Sequence, residues 1–505
     1  MADEKNEAKA PAEAGGAVRG VYASVPADRA TGVPEAASAR LAWTDGERSL
    51  EYEARAAHLE VRDDAGVLLG RMFSLSYVAV DAEGMPDVSR PVTFAYNGGP
   101  GSSSVPINFG GIGPRRVATD GVRHVRADAP VEDNPHTLLV DSDVVFLDAL
   151  GTGWSVLAED ADPKKIFCTD GDADAFARAI CAWLTENGRW SSPLYLFGES
   201  YGTVRNAALM RLLGERGVQL TGVVMLSAVF NIAGLLNPGD DLYYLGMMPT
   251  FAATAQFFGR AGAGVGEEEW FERAMAFAED ELAPALLRGD RLGEADERAV
   301  AERMATFIGL PAEHILAHHL RIDLLDFRTH LLANEGRVCG RLDTRFSSDA
   351  PSPMQSHDMW LAGEDAADDA VEGAWVRAFR RFCADELGYQ GPARYLSNNY
   401  DKVNAGWDWG HEEPGLGRVA TPNVSLDVAV ALRRNPTMKL ALIGGRYDAA
   451  TTWWNVVHDM SCQFLSPELK SRVSWYLYGC GHMSYVDVPT LEAMGRDLHE
   501  FYERR

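Results

Sequence analysis

Short apolar runs alternate with helix-like segments along most of the chain, and this pattern predicts a mixed α/β fold. A turn signal at residues 63–66 lies between two apolar runs and predicts a β-hairpin over Tyr52–Val80. Six further runs predict strands at Val92–Tyr96, Val144–Leu147, Leu194–Phe197, Val223–Leu226, Leu440–Ile443 and Val473–Tyr478. Several are apolar throughout, as is typical of strands buried on both faces. With helix-like segments at 172–186 and 203–214 between them, they predict a mostly parallel, doubly wound sheet.

The series of strands stops between residues 240 and 420, where the pattern is mainly helical. We interpret residues 241–420 as a helical cap or lid inserted into a core formed by residues 45–240 and 421–505. Residues 1–40 are rich in Ala, Glu, Pro and Gly and predict a disordered tail. The helical segments predicted inside the cap are 267–288, 293–307 and 370–386.

Composition places the 505-residue chain among soluble globular proteins, with 46% hydrophobic and 24% charged residues. Its net charge of −26 argues against nucleic acid or anionic lipid as the main partner. The six cysteines include no Cys-x-x-Cys pair, so we expect mostly free thiols and neither a disulfide scaffold nor a metal site. No signal peptide or membrane span is evident, which predicts a cytoplasmic protein, with a lost export signal left open.

The segment Gly198-Glu199-Ser200-Tyr201-Gly202 supplies the candidate nucleophile. Gly-x-Ser-x-Gly alone is a weak signal, because an ordinary glycine-rich turn matches it. Here it directly follows a predicted strand and precedes a predicted helix, which is the context of a nucleophile elbow. Ser200 is therefore the predicted nucleophile.

A serine nucleophile needs a base, and the base needs an orienting acid. Asp448 ends a predicted strand and glycine loop, and His482 follows the next strand, in the order expected downstream of a nucleophile elbow. His458 is the competing base, but it follows a helix-like segment. We predict the triad Ser200, Asp448, His482.

Acyl transfer also needs donors for the developing oxyanion, each worth roughly 10²–10³ in rate. One should be the backbone N–H of Tyr201, the residue after the nucleophile. The other should come from a glycine loop that follows an earlier strand, and Asn97–Ser103, with the sequence NGGPGSS, fits that need.

Three blocks, Asn97–Ser103, Gly198–Gly202 and Gly481–Met483, together resemble the serine carboxypeptidases, peptidase family S10 of the α/β-hydrolase superfamily. Val144–Asp148 followed by Gly151–Ser155 is also similar to a strand and loop of that family. The resemblance implies an α/β-hydrolase fold with a helical cap. The mechanism that the resemblance implies needs no metal and no organic cofactor.

The resemblance also implies catalytic roles. Ser200 would attack the carbonyl of the C-terminal peptide bond, and His482 would accept its proton and later activate water. Asp448 would orient His482. The backbone N–H groups of Gly99 and Tyr201 would bind the oxyanion.

In the family, the free C-terminal carboxylate of the substrate is bound by residues that correspond here to Asn97, Gly98 and Glu199. A carboxylate binds beside Glu199 only if the two groups share a proton. Two neighbouring carboxyl groups in a site without water are not both ionised, because their negative charges repel each other. The family's second acid corresponds to Gly111, and the family cysteine of the first block corresponds to Ser102. The missing acid weakens the expectation of carboxylate recognition and of an acidic pH optimum.

The sequence thus predicts a serine-type carboxypeptidase that acts on peptides through an acyl-enzyme. An esterase or acyltransferase with the same triad is the alternative, and a catalytically inactive binding protein is a third possibility. Tyr243, Tyr244 and Trp407 are candidates for an apolar substrate pocket, with packing inside the cap as the alternative. We expect no nucleic-acid or membrane partner, and the oligomeric state stays open, with a homodimer as one option.

Overall fold

The structure, a computed structural model, describes residues 33–46, 48–119, 121–126, 128–352, 365–392 and 394–504. Most of the tail predicted over residues 1–40 lies outside this part of the chain. Its predicted boundary is wrong, because a strand begins at Ala37. In that strand small apolar residues alternate with polar ones and half-buried positions alternate with exposed ones, a period of two that pairs well at a sheet edge.

A central sheet organises the chain, and the predicted strands all belong to it. Its nine main strands are β1 Ala37–Thr44, β2 Ser49–Arg62, β3 Leu68–Ala79, β4 Val92–Tyr96, β5 Asp143–Leu147, β6 Leu194–Glu199, β7 Leu220–Leu226, β8 Lys439–Gly445 and β9 Val473–Tyr478. Their spatial order is β1-β2-β3-β5-β4-β6-β7-β8-β9, and the short strand Val156–Leu157 pairs with β3.

The pairing of neighbouring strands changes once across the sheet, from antiparallel to parallel. β1, β2, β3 and β5 pair antiparallel in turn, which confirms the predicted hairpin between β2 and β3. From β5 to β9 every neighbouring pair is parallel. The carboxyl ends of six strands therefore meet at one edge, where ligands bind in open α/β sheets.

Helices cover both faces of the sheet and also build the inserted region. They are α1 Thr169–Glu186, α2 Tyr201–Glu215, α3 Ile232–Leu236, α4 Asp241–Phe257, α5 Glu267–Phe277, α6 Ala283–Arg288, α7 Glu294–Ile308, α8 Ala312–Ala317, α9 Leu324–His330, α10 Ala366–Arg381, α11 Ser425–Arg434, α12 Trp453–Ser461, α13 Pro467–Lys470 and α14 Val488–Glu503. Short π-helical turns span Pro106–Ile112, Ala278–Leu282 and Phe382–Glu386. Small antiparallel pairs join Arg115–Val117 to Val131–Asp133, Arg337–Cys339 to Ser347–Asp349, and His411–Glu413 to Gly417–Val419.

Two apolar cores lie on opposite faces of the sheet. Residues of α1, α2, α11 and α12 pack on one face. Residues of α10, α14 and the turn Pro106–Ile112 pack on the other. Because both faces are covered, β4, β5 and β6 are buried along their whole length, which explains their uninterrupted apolar sequences.

The region inserted between β7 and β8 divides into two parts. Helices α4 to α9 share a core of their own. Helix α10 instead packs against the sheet. Its charged residue Asp368 lies near the edge at which the carboxyl ends of the strands meet. None of the helices in the described part of the chain has both the length and the apolar character needed to cross a membrane.

The aromatic residues proposed to shape a substrate pocket do not line it. Tyr243 and Tyr244 are buried in the core of α4 to α9. Trp407 packs edge-on against the ring of Tyr201, with ring centroids 5.1 Å apart. Tyr243 and Tyr244 are taken up by the cap core and Trp407 by the core on one face of the sheet, and Tyr400 and Trp409 line the cleft.

Candidate active site

Ser200 lies on a sharp turn between β6, which ends at Glu199, and α2, which begins at Tyr201. Its backbone has φ 60° and ψ −130°, a conformation that non-glycine residues seldom adopt. Its N–H donates to the carbonyl oxygen of Leu226 on β7 at 3.0 Å. Such strain costs on the order of 1–3 kcal/mol and persists only where the surroundings enforce it. It presents the Ser200 side chain at the edge of the sheet.

The two flanking glycines are required by close backbone approach. A Cβ on Gly198 would lie 2.3 Å from the carbonyl oxygen of Gly202. A Cβ on Gly202 would lie 3.1 Å from the carbonyl oxygen of Tyr96. Gly198 is therefore required by the turn itself, whereas Gly202 is required by the adjacent end of strand β4.

Asp448 and His482 meet at the ends of β8 and β9. The Asp448 Oδ2 atom lies 2.8 Å from His482 Nδ1. Thr451 donates its hydroxyl to the same oxygen at 2.8 Å, while Asp448 Oδ1 accepts the backbone N–H groups of Ala450 and Thr451 at 2.8 and 2.9 Å. Both carboxylate oxygens are thus held in place, and the imidazole is oriented with its Nδ1 side toward the acid.

The buried imidazole of His482 is electrostatically biased toward its charged form. Burial by itself lowers the pKa of His482, but attraction to Asp448, their hydrogen bond and the nearby Glu199 outweigh burial and raise it. An imidazole that accepts a proton more readily is a better base toward a serine hydroxyl.

Two neighbouring loops fix the backbone of His482. Its N–H donates to the carbonyl oxygen of Leu342 at 2.6 Å. Its carbonyl oxygen accepts the hydroxyl of Ser227, which follows β7, at 2.7 Å. The histidine is therefore placed by the inserted region as well as by the sheet.

The glycine loop after β4 lies directly against the nucleophile turn. A Cβ on Gly98 would lie only 2.4 Å from the backbone nitrogen of Tyr201. Gly99 has φ 101°, which favours glycine. The buried Arg205 donates to the carbonyl oxygen of Asn97 at 2.9 Å and pairs with Asp172 at 2.7 Å. This arrangement keeps the loop beside the N–H of Tyr201.

One cavity of about 130 Å³ joins most of the predicted site residues. Those that line it are Asn97, Gly98, Gly99, Glu199, Ser200, Tyr201 and His482. Asp448 is fully buried behind His482. Segments more than 380 residues apart in sequence therefore contribute to one cleft, as the order of the motifs predicts.

Glu199 is buried beneath this cleft with 2% of its surface exposed. Burial raises the pKa of Glu199 to about 7, opposed by His482 and by hydrogen bonds from Tyr485 and Asn97. The Tyr485 hydroxyl lies 2.9 Å from Oε2 and 3.1 Å from Oε1. Near neutral pH, Glu199 therefore exists in both protonation states and can donate a proton to an anion.

Two charged residues of the cleft escaped sequence reasoning, Arg341 and Asp368. Both line the cavity, although they come from a loop and from α10 in the inserted region. Burial raises the pKa of Asp368 to about 8, with repulsion from Glu372 adding to it. Neither residue belongs to a catalytic motif of the His-Asp or Gly-x-Ser type. The sequence therefore contains no signal that would have identified them.

Hydrogen bonds hold the backbone of Arg341 at both its N–H group and its carbonyl oxygen. Asp365 accepts the backbone N–H groups of Arg341 and Leu342, at 2.7 and 3.1 Å. The Arg341 carbonyl oxygen accepts the N–H of Ala449, next to Asp448, at 3.1 Å. Its guanidinium is exposed and forms no ion pair with any residue in the described ranges. The backbone of Arg341 is thus held in place, and its positively charged side chain lines the cleft.

The position of the family's second acid carries no carboxyl group here. Gly111 lies against the ring of Tyr485, and a Cβ there would be 3.0 Å from the ring. Asp368 enters the same cleft from α10 on the other side of the substrate space. The chain therefore still has two acids in the cleft, but the second comes from a different element.

Comparison with known proteins agrees with this geometry. Residues 58–245 match the family model described as serine carboxypeptidase. No curated protein sequence matches the chain. Among solved structures, the chain is similar to Kex1(delta)p, a prohormone-processing carboxypeptidase from Saccharomyces cerevisiae. The two share 14% identity over 89% of this chain and 91% of that chain, with a TM-score of 0.53.

Other similar structures align less well. The peroxisomal alpha-beta-hydrolase Lpx1 from Saccharomyces cerevisiae is 10% identical over 93% of this chain and 90% of that chain, with a TM-score of 0.33. An esterase from Thermogutta terrifontis is 11% identical over 88% and 99% of the two chains, with a TM-score of 0.32.

The central sheet with helices on both faces and the likeness to Kex1(delta)p confirm the predicted α/β-hydrolase fold. The match over residues 58–245 covers the glycine loop and the nucleophile turn. The chain is accordingly a serine hydrolase in which residues 58–245 match the serine carboxypeptidase family.

Proposed function

We propose that this protein is a serine-type carboxypeptidase that releases C-terminal residues from peptides. The observation that carries the proposal is one cleft that contains Ser200, His482 and the cation of Arg341, with Asp448 hydrogen-bonded to His482. A peptide ending in a free carboxylate offers this cleft both a scissile carbonyl and an anion.

The proposed reaction uses side chains of this chain alone. Ser200 Oγ attacks the carbonyl carbon while His482 Nε2 accepts the hydroxyl proton. The negative oxygen that forms accepts the N–H groups of Gly99 and Tyr201. His482 then returns the proton to the departing amine, and an acyl-Ser200 ester remains. Water, deprotonated by His482, hydrolyses that ester and restores Ser200.

Three groups are suited to hold the terminal carboxylate of the substrate. Protonated Glu199 and protonated Asp368 can each donate one hydrogen bond, since the pKa of both is raised. Arg341 supplies a positive charge at the same cleft. Asn97 and Gly98 line the cavity beside them, as the family resemblance implies.

An esterase or acyltransferase with the same triad remains the second candidate. The glycine at position 111 favours it, because one expected carboxylate ligand is absent from that position. Blocked dipeptides separate the two functions when the free acid is compared with its C-terminal amide. A carboxypeptidase should cleave the acid with a far lower KM, and equal cleavage of both would support the alternative.

Replacing Arg341 by glutamine should raise the KM for the free-acid dipeptide on the order of tenfold, because a charge-assisted hydrogen bond to the carboxylate is lost. The kcat and the KM for the amide should change little. Steady-state kinetics on both substrates measure this difference. Arg337→Gln is the matched control, since Arg337 lies on the neighbouring strand and binds Ser347 outside the cleft. An equal loss on acid and amide would contradict a role in carboxylate binding.

Carboxylate binding should weaken as pH rises through about 7, the pKa of Glu199. Above that value Glu199 is ionised and repels the substrate anion, so KM for the free acid should rise up to tenfold per pH unit. Glu199→Gln keeps a donor and removes this titration, which leaves Asp368 as the acid that titrates. The rise in KM should then move toward pH 8, close to the pKa of Asp368.

The pH profile of KM, measured for the acid and the amide in parallel, checks this expectation. Glu215→Gln, at the far end of α2, serves as the control and should keep the profile of the unaltered protein. An unchanged midpoint in Glu199→Gln would exclude Glu199 as the titrating ligand.

A further inference from the structure

Four of the twelve histidines lie in one 17-residue stretch inside the inserted region, residues 314–330. This stretch is far in sequence from every catalytic motif. His314 and His318 are four residues apart on and just after α8, so their side chains share one face of the helix. Asp326 and His330 are likewise four residues apart on α9. The two pairs face each other across the junction of these short helices.

The carboxylate of Asp326 is at the centre of this cluster. Its Oδ2 atom lies 2.7 Å from His314 Nε2, and its Oδ1 atom lies 3.8 Å from His318 Nε2. The ring centroids of His314 and His318 are 4.5 Å apart. Ligand atoms of these three residues all lie within 4.8 Å of one another.

The hydrogen bonds of the rings determine which nitrogen faces the carboxylate. His318 Nδ1 lies 2.9 Å from the carbonyl oxygen of His314, and since a carbonyl only accepts, Nδ1 carries the proton. In the neutral ring, Nε2 therefore presents a lone pair toward Asp326 Oδ1. Two acceptors that face each other need a donor or a cation between them, which can be a proton, a water molecule or a metal ion. Ligating histidines commonly have this arrangement, with the other ring nitrogen donating to a backbone carbonyl.

His330 has a different part in the cluster. Its Nδ1 lies 2.8 Å from the backbone carbonyl oxygen of Asp326, and therefore donates to it. The same nitrogen is 3.1 Å from Asp326 Oδ1. His330 is thus a positioning residue that orients the carboxylate.

We propose that His314 Nε2, His318 Nε2 and the Asp326 carboxylate form a binding site for a divalent transition-metal ion of the zinc class. Two imidazoles and one carboxylate are a donor set that suits Zn²⁺, Co²⁺ or Ni²⁺ better than Ca²⁺ or Mg²⁺, which prefer oxygen ligands. Three protein ligands leave a fourth tetrahedral position for water.

Closing the site takes small side-chain rotations and the displacement of the proton that His314 Nε2 donates to Asp326 Oδ2 in the metal-free protein. A tetrahedral zinc ion with bonds of about 2.0–2.1 Å needs ligand atoms roughly 3.4 Å apart. His318 is exposed, so its ring is free to rotate toward Asp326. The bound ion would link α8 and α9, which have six and seven residues and are too short to be stable without tertiary contacts. The site lies outside the set of residues that line the catalytic cleft.

Titration of the tag-free, chelator-treated full chain with Zn²⁺ tests the proposal. We expect one saturable site per chain by isothermal titration calorimetry, and a higher Tm with Zn²⁺ than without it. His314→Gln, His318→Gln and Asp326→Asn should each weaken binding at least tenfold, and His330→Gln should weaken it by a smaller factor. His319→Gln is the matched control, because His319 is adjacent in sequence but contacts Glu297 at 3.0 Å.

Co²⁺ substitution supplies a second measurement, and its result with the unaltered protein does not depend on how any variant folds. The visible absorption of four-coordinate Co²⁺ should appear with the unaltered protein and with His319→Gln, and should be lost in His318→Gln. No saturable Zn²⁺ binding, or equal binding by the His314→Gln/His318→Gln double variant, would overturn the proposal and leave a hydrogen-bonded histidine cluster. Peptidase activity is measured separately, so failure of the metal site and failure of the proposed function are distinguishable.

Discussion

Ser200→Ala is expected to lower kcat/KM for peptide hydrolysis by about 10⁴–10⁶, because the variant has no oxygen that can form the acyl-enzyme. The fold should survive, since alanine also carries a Cβ and the backbone hydrogen bond from residue 200 to Leu226 is unaffected. A small residual rate should remain, because the oxyanion donors at Gly99 and Tyr201 are still present.

Two measurements check this expectation. Hydrolysis of a free-acid dipeptide gives the rate, and covalent labelling by a fluorophosphonate gives the nucleophile directly. Ser474→Ala, on the outermost strand β9 and outside the cleft, is the control and should label and cleave normally. Labelling of Ser200→Ala at the original rate would exclude Ser200 as the nucleophile, and an unlabelled unaltered protein would favour an inactive binding protein.

Asp448→Asn is expected to lower kcat by about 10⁴ while leaving the cleft intact. Asp448 Oδ1 accepts two backbone N–H groups, so an asparagine would keep its oxygen there and turn its NH₂ toward His482. The NH₂ group would then meet Nδ1 as a donor and force the proton of the neutral ring onto Nε2. In that tautomer His482 is unable to accept the proton of Ser200.

Buried Asp459 provides a matched control for this substitution. It also pairs with a histidine, since its Oδ1 lies 3.1 Å from His458 Nδ1, but it lies outside the cleft. Asp459→Asn should therefore reduce stability without a comparable loss of kcat in the folded fraction, as urea unfolding and active-site titration would show. A similar loss of kcat in both variants would mean that the effect of Asp448→Asn is structural.

Much of the sheet could be predicted because its strands are buried on both faces. Such burial leaves largely apolar runs, and the observed bounds of β4 coincide with the predicted ones. Strand β1 was missed because it is an edge strand, where small and polar residues suffice. The split of the inserted region was also missed, because the amphipathic pattern of α10 does not reveal which apolar surface it covers.

The candidate site was predictable where backbone geometry demands particular residues. Gly198 is required by the turn itself, Gly202 by the adjacent end of β4, and Gly98 by its contact with the N–H of Tyr201. The Gly198 contact is local, whereas Gly98 and Gly202 contact segments more than 100 residues away in sequence, but all three positions leave a readable motif because a side chain does not fit there. The same reasoning fails for Arg341 and Asp368, since many other side chains would satisfy their local backbone.

The sequence by itself determined the order of strands and helices, the sharp turn at Ser200 and the candidate acid and base that follow it downstream. Only the tertiary structure decided that Arg341 and Asp368 enter the same cleft, and that His314 and His318 meet Asp326. The physical reason is range: backbone conformation and burial leave their pattern in adjacent residues, whereas contacts between distant side chains depend on how whole elements pack.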